Sequence, residues 1–206
     1  MKTVGIVIRE WRLPDNNTGL YGFKRDLLYT LRNYNVNVIG IPINFNNDKL
    51  DNIKEVIDMC DGIILSGGKD EYEIDFDIVR YLYEKDIPTL GICLGMQDMG
   101  GAFNGGIIDH IGNNNHSSSD EYVHNITIDK NSLLYEILGN DYIKVNSRHF
   151  DYIKDTTLDK VAYSDDNILE AIEDKTKRCF IGVQWHPESV TDEYSKKLFD
   201  YFISKL

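Results

Sequence analysis

Three short stretches of this chain could do chemistry together. Cys93 sits in Gly91-Ile92-Cys93-Leu94-Gly95, where an apolar run from Pro88 to Ile92 gives way to a helix-like pattern through Gln97. Glycines on either side of a strand-to-helix turn allow a strained backbone that projects the central side chain, which is the form of a nucleophile elbow. A helix starting there aims unpaired amide N–H groups and the positive end of its dipole at the thiol, which favours the thiolate. The N–H of Leu94 could then face an oxyanion. An isolated cysteine would read as core packing, and it is the glycine pair that argues for a nucleophile.

A thiol nucleophile needs a base that can also protonate a leaving group, and a third group to orient that base. Of the five histidines, His186 is the best placed, in Val183-Gln184-Trp185-His186-Pro187-Glu188 just beyond an apolar strand. In extended chain, side chains two residues apart point the same way, so Glu188 could accept one imidazole N–H and turn the other nitrogen toward Cys93. A chance His-x-Glu is equally compatible with the spacing alone. The third stretch, Leu65-Ser66-Gly67-Gly68-Lys69-Asp70, ends another strand in a glycine pair. It is either a plain turn or a backbone that approaches substrate and offers a second oxyanion N–H.

Other candidate groups read differently. His110, His116 and His124 lie near Asp109, Asp120 and Glu121, but spacings of six and eight match no helix face or metal knuckle. No metal site and no cofactor is expected, and the stretch reads as a polar loop beside the pocket. Cys60 and Cys179 follow or head apolar runs and are expected to be core thiols. The three cysteines are odd in number and widely spaced, so free thiols are expected. The acidic run Asp70 to Asp77 reads as a solvated helix start.

These residues must be positioned by alternating elements. Thr3 to Arg9, Val36 to Pro42, Gly62 to Leu65 and Pro88 to Ile92 read as apolar strands. Between them Leu20, Phe23, Leu27 and Leu31, then Leu50, Ile53, Val56 and Ile57, then Ile74, Ile78, Val79 and Leu82 recur at helical spacing. That pattern predicts an α/β fold, a doubly wound, mostly parallel sheet flanked by helices. The second half predicts a smaller region of antiparallel or edge strands, with strands at Ile107 to Ile111, Val123 to Ile128, Tyr142 to Val145, Lys160 to Tyr163, Ile168 to Ile172 and Phe180 to Gln184, and a last helix from Asp192 to Leu206. With no internal repeat or linker, residues 1–206 are expected to form one domain. The carboxyl ends of neighbouring parallel strands meet at one sheet edge, where open α/β folds bind ligands.

The 206 residues are 42% hydrophobic, enough to bury roughly 70% of the unfolded surface and to exclude disorder or a disulfide scaffold. Lys and Arg number 22 against 34 Asp and Glu, a net charge of −12. That field disfavours nucleic acid and anionic membrane surfaces as partners. Only six uncharged residues separate Lys2 from Arg9, and no stretch approaches the roughly 20 apolar residues of a spanning helix, so a cytoplasmic protein is expected.

In order and wording, the three stretches resemble the class I glutamine amidotransferase-like superfamily, with its GxCxG elbow and C-terminal HPE. Ser66-Gly67-Gly68-Lys69-Asp70, Gly91 to Gln97, Val145-Asn146-Ser147-Arg148-His149 and Gly182 to Glu188 most resemble its γ-glutamyl hydrolase branch, peptidase family C26. The resemblance implies Cys93 as nucleophile, His186 as general base and acid, and Glu188 as its orienting partner. It implies Gly68 and Leu94 as oxyanion donors. Gly67, Gln97, Asn146, Ser147, Arg148, His149 and His116 would line the site for a small-molecule γ-glutamyl substrate. The implied reaction is cleavage of a γ-glutamyl amide through a thioester, releasing glutamate and an amine. Glutaminase subunits share the GICLGMQ spelling, so the alternative is a glutaminase chain delivering ammonia to a separate synthase chain; a homodimer is compatible with either. The chain departs from the hydrolase branch in lacking a long insertion after the glycine turn, in carrying Phe150-Asp151 in place of His-Gln, and in having Leu94 where many relatives have Arg.

Overall fold

Short β-branched runs separated by amphipathic stretches set the order of elements. In the computed structural model, which describes residues 1–12, 19–44, 48–69, 72–103, 106–112 and 115–206, the first half consists of β1 (Lys2–Arg12), β2 (Gly19–Gly22), α1 (Arg25–Arg32), β3 (Val36–Pro42), α2 (Leu50–Asp58), β4 (Gly62–Leu65), α3 (Glu73–Glu84), β5 (Thr89–Ile92) and α4 (Leu94–Gly101). The second half adds β6 (Ile107–His110), β7 (His124–Ile128), α5 (Leu133–Leu138), β8 (Tyr142–Val145), β9 (Asp151–Asp155), β10 (Asp159–Ser164), β11 (Leu169–Glu173), β12 (Phe180–Val183), a 3-10 turn at Pro187–Ser189 and α6 (Glu193–Ser204).

Strands β3, β1, β4, β5 and β12 are parallel neighbours in that order, and β11, β10, β7 and β8 continue the same sheet antiparallel. The antiparallel region is thus an extension of the doubly wound sheet, while β6 and β9 pair separately. Every residue of β4, β5 and β12 is buried, as strands covered on both faces must be. Val4, Ile6, Ile64, Leu90 and Ile92 pack on one face with α1 and α6, whereas Val7, Ile63 and Leu65 pack on the other with α2, α3 and α4. Burying each such side chain contributes roughly 1.5–3 kcal/mol. Among the described residues, no helix is long and apolar enough to cross a membrane.

Two expectations are corrected. Leu20 is not the first turn of a helix: it lies in β2, 49% exposed, in antiparallel register with the far end of β1. Gly19 and Gly22 disfavour helix there, and α1 begins only at Arg25, burying Leu27 and Leu31. The acidic run is not wholly solvated either. Asp70 lies outside the described residues, but Asp75 is 2% exposed, and the reason is Arg9, itself 3% exposed. Arg9 Nη1 donates to Asp75 at 2.7 Å and Nη2 to Asp98 at 2.5 Å, tying β1 to α3 and α4. Cys60 and Cys179 are buried free thiols, as expected.

Removing one partner of a buried ion cluster strands the others without compensation. Arg9→Met should therefore lower the unfolding free energy by about 3–5 kcal/mol in a denaturant titration. A loss under about 1 kcal/mol would mean that the two carboxylates are neutral or solvated without Arg9.

Candidate active site

The site is built where β5 stops. Cys93 follows Ile92 with φ 55° and ψ −106°, a left-handed conformation that a side-chain-bearing residue rarely adopts, and its own carbonyl accepts from Met96 and Gln97 at 3.0 and 3.2 Å to start α4. The turn is this tight because α4 packs directly on the end of β4: a Cβ on Gly95 would run into the Leu65 carbonyl. The amide of Cys93 donates to the Val183 carbonyl at 2.8 Å, extending the parallel register in which Ile92 faces Val183. The elbow is thereby locked to the strand that leads into His186.

His186 is 3% exposed and Glu188 7%. The chain leaves β12 through Gln184 and Trp185 and turns at Pro187–Ser189, where the Ser189 amide donates back to the His186 carbonyl at 3.1 Å. Asn146, just past β8, clamps His186 from the other side. Its Oδ1 accepts the His186 amide and its Nδ2 donates to the His186 carbonyl, both at 2.8 Å. His186 Nδ1 lies 2.7 Å from Glu188 Oε1, and the ring is within hydrogen-bonding reach of the Cys93 sulfur. With Nδ1 committed to the carboxylate, Nε2 is the nitrogen left for the thiol. Burial alone would lower the His186 pKa, but the Glu188 carboxylate and the Cys93 sulfur outweigh it and push it up to about 9. Burial opposes ionisation of Glu188, yet the imidazole and the Lys24 ammonium hold its pKa below the ordinary value.

The glycine turn after β4 closes on this pair. A Cβ on Gly67 would lie 3.0 Å from His186 Cε1 and 3.6 Å from Cys93 Cβ, so a side chain there would crowd the imidazole. Gly68 is stacked between Leu94 and the stem of Arg9, and Ser66 Oγ fixes the turn to the Val7 carbonyl at 2.7 Å. Leu94 opens α4, and the first amides of a helix have no partner within it. A crevice lined by Lys24, Leu27, Ser66, Gly67, Ile92 and Glu188 adjoins the site, and its volume of about 10 Å³ is room for a single water.

The remaining sequence-derived residues stand behind this centre. Gln97 Nε2 donates to the Asp151 carbonyl at 2.7 Å and reaches Gln184 Oε1 at 3.3 Å. Ser147 Oγ donates to the His116 carbonyl at 2.8 Å, and Arg148 Nη1 donates to Ser189 Oγ at 2.9 Å. His116 and His149 turn their rings elsewhere, toward Glu170 together with His124. Sequence reasoning missed two participants. Lys24, just before α1, places its ammonium 3.4 Å from His186 Nδ1, and no pattern around it marks the role. Glu170 is fully buried near the start of β11, and a carboxylate between Leu169 and Ala171 in a buried strand is the one clue the sequence offers.

The family model described as glutamine amidotransferase class-I matches residues 17–206. The chain belongs to the class I glutamine amidotransferases. It is 34% identical over 155 residues to a subunit of the glutamine-hydrolyzing GMP synthase of Haloarcula marismortui, covering 70% of this chain and 73% of that protein. It is 30% identical over 171 residues to anthranilate synthase component 2 of Cyanophora paradoxa, covering 78% of this chain and 84% of that one. The glutaminase domain of Trypanosoma brucei CTPS, solved with bound acivicin, superposes with a TM-score of 0.73 over 100% of this chain and 92% of that one, at 15% identity, which shows a shared fold. This class I glutamine amidotransferase therefore carries the family's sheet, with Cys93, His186, Glu188 and the Gly67-Gly68 turn gathered at its carboxyl edge.

The buried pair makes stability depend on pH. A histidine whose folded pKa is raised contributes stability that is complete below the unfolded value near 6.5 and is lost as pH rises through about 9. The Glu188 contribution has the opposite sense, present above its unfolded value near 4.5 and lost as pH falls. The stability advantage of the wild type over His186→Gln should therefore shrink by up to ~3 kcal/mol between about pH 6.5 and 9. Unfolding free energies across that range measure it, and a constant difference would contradict the charged pair.

Proposed function

We propose that this class I glutamine amidotransferase hydrolyses a γ-glutamyl amide of a small molecule through a thioester on Cys93, releasing glutamate and an amine. One observation carries the reading: a cysteine held at positive φ against an imidazole whose other nitrogen is bonded to a buried carboxylate. His186, holding the proton drawn from the thiol, leaves Cys93 a thiolate that attacks the amide carbon, and the imidazolium delivers that proton to the departing nitrogen. The amides of Gly68 and Leu94 receive the charge that develops on the carbonyl oxygen. Water, deprotonated by the same imidazole, then breaks the thioester. Glu188 keeps the ring in the tautomer and orientation that both steps need. Gly67 keeps the approach to the sulfur free of side chains, while Asn146 fixes the base and Gln97, Ser147 and Arg148 support the wall. No cofactor enters this scheme.

A second reading has support of its own. The named relatives, a GMP synthase subunit and anthranilate synthase component 2, are parts of synthases. Here the same chemistry on glutamine would supply ammonia to a separate chain. A screen of γ-glutamyl amides, glutamine included, separates the two. Turnover by the isolated chain supports the free hydrolase, while glutamine turnover that stays at background until a synthase co-purifies supports the ammonia-delivering role.

Both readings share one test. Cys93→Ala should abolish turnover, and mass spectrometry should detect a glutamyl adduct on Cys93 of the wild type. Glu188→Gln should leave the fold intact and lower kcat by about 10²–10⁴-fold. Undiminished turnover by Cys93→Ala would end the thioester mechanism.

A further inference from the structure

Behind the catalytic pair, the antiparallel half of the sheet gathers a second set of groups that the proposed chemistry does not use. Glu170, the second residue of β11, has no exposed surface, and three rings converge on its Oε1: His116 Nδ1 at 3.3 Å, His124 Nε2 at 3.3 Å and His149 Nε2 at 3.6 Å. The four ligating atoms lie within 4.8 Å of one another. Among the described residues, none of these three nitrogens, and neither Glu170 oxygen, has a well-formed hydrogen bond. Five buried polar atoms of one cluster are thus without a well-formed hydrogen bond, and four of them face one another.

The outward nitrogens sharpen the difficulty. His116 Nε2 meets both oxygens of Asp166 at 3.0 and 3.1 Å, His149 Nδ1 meets the Asp151 carbonyl at 3.0 Å, and His124 Nδ1 meets the Asn125 carbonyl at 3.3 Å. Each ring thus has an oxygen acceptor on both sides, and a neutral imidazole has one N–H to give. If the outer nitrogens carry the protons, three inner lone pairs and a carboxylate point at one spot. If the inner nitrogens carry them, three lone pairs face oxygen outside. Protonating all three rings would satisfy every acceptor, at the cost of three like charges within a few ångströms of each other in a buried place.

A cation at the convergence point resolves this. Neutral histidines whose outer N–H groups donate to a carboxylate or backbone carbonyl are the usual support shell of a bound metal. A tetrahedral site with metal–ligand distances of about 2.0–2.1 Å has ligand–ligand edges of about 3.3 Å, which is the separation found between Glu170 and two of the rings. Three imidazoles and one carboxylate suit a borderline divalent ion such as zinc rather than calcium or magnesium, which prefer all-oxygen shells. The carboxylates of Glu170 and Asp166 match its double charge. The geometry points to His116, His124, His149 and Glu170 as a closed, four-ligand site for zinc or a similar divalent transition-metal ion, structural in type. The sequence spacings match no metal motif because the ligands come from a loop, from β7, from the residues preceding β9 and from β11.

The site would brace the pocket wall. The Asp151 carbonyl that accepts from His149 also accepts from Gln97, four residues after Cys93. The His116 carbonyl accepts from both Ser147 Oγ and the His149 amide. This inference is independent of whether the chain acts on γ-glutamyl amides.

The test is zinc binding by the full chain carrying Cys93→Ser, so that the active-site thiol cannot contribute. After dialysis against a strong chelator, zinc sulfate should bind at one equivalent per chain and raise the melting temperature, while magnesium should do neither. Cobalt(II) should give the visible d–d bands of a four-coordinate site. His124→Gln and Glu170→Gln should each weaken zinc binding at least 100-fold. If either variant fails to fold, the melting temperature and stoichiometry of the parent with and without zinc decide the matter. Absence of stoichiometric zinc binding, an unchanged melting temperature, or zinc binding that survives His124→Gln would each overturn the site and leave a proton-shared histidine cluster in its place.

Discussion

A single backbone hydrogen bond sets the geometry on which the rest depends: the Cys93 amide donating to the Val183 carbonyl at 2.8 Å. It continues the parallel pairing of β5 with β12 by one rung, so the elbow and the strand leading to His186 share a register before any side chain is considered. Parallel strands that are neighbours in space bring remote sequence to one edge, and that edge is where the chain can leave regular structure without losing ladder hydrogen bonds inside the core. The strained φ of Cys93 persists because its surroundings over-determine it: the register on one side, the packing of Gly95 against Leu65 on the other.

Buried charge is handled by pairing in two different ways. Arg9 joins two carboxylates from separate helices and supports the Gly67-Gly68 turn through its aliphatic stem, so an ion cluster and a candidate oxyanion turn share one side chain. Glu173, on β11 like Glu170, caps a helix instead: its two oxygens accept the Leu133 and Leu134 amides at 2.7 and 2.9 Å at the start of α5. Two acids three residues apart on one buried strand thus meet different fates, because one faces helix amides and the other faces histidine rings.

Much of this was legible in the sequence, and the exceptions have a common cause. The strands β4 and β8, the apolar stripe of α3 and the elbow depend on spacing within a few residues, and the sequence pattern locates them closely. The Arg9 cluster joins residues 66 and 89 positions apart; no local pattern distinguishes Asp75 from an exposed acid at a helix start. Helix α5 escaped because LLYEIL is a short apolar run, ambiguous between helix and strand. Ser132 and Gly139 at its two ends were the available signals, Ser132 accepting the Tyr135 amide at 3.0 Å. The histidines behind the site were visible as residues but not as a group, since nothing short of the sheet order places β7 and β11 on either side of β10.

That sheet order also explains why the antiparallel half exists at all. Without β11, β12 would be an edge strand, and the residues after it would have one anchored side. Asn146, at the end of β8, grips the His186 backbone at both its amide and its carbonyl, while β5 grips the strand before it. The imidazole is therefore held by both halves of the sheet, and the sulfur by the parallel half alone. Misplacing reacting groups by about an ångström can cost on the order of 10²-fold in rate, so small shifts in the antiparallel strands would be felt at Cys93 through His186. The polar clusters packed into that half, far from the reacting atoms in sequence, act on the chemistry by fixing where the base stands.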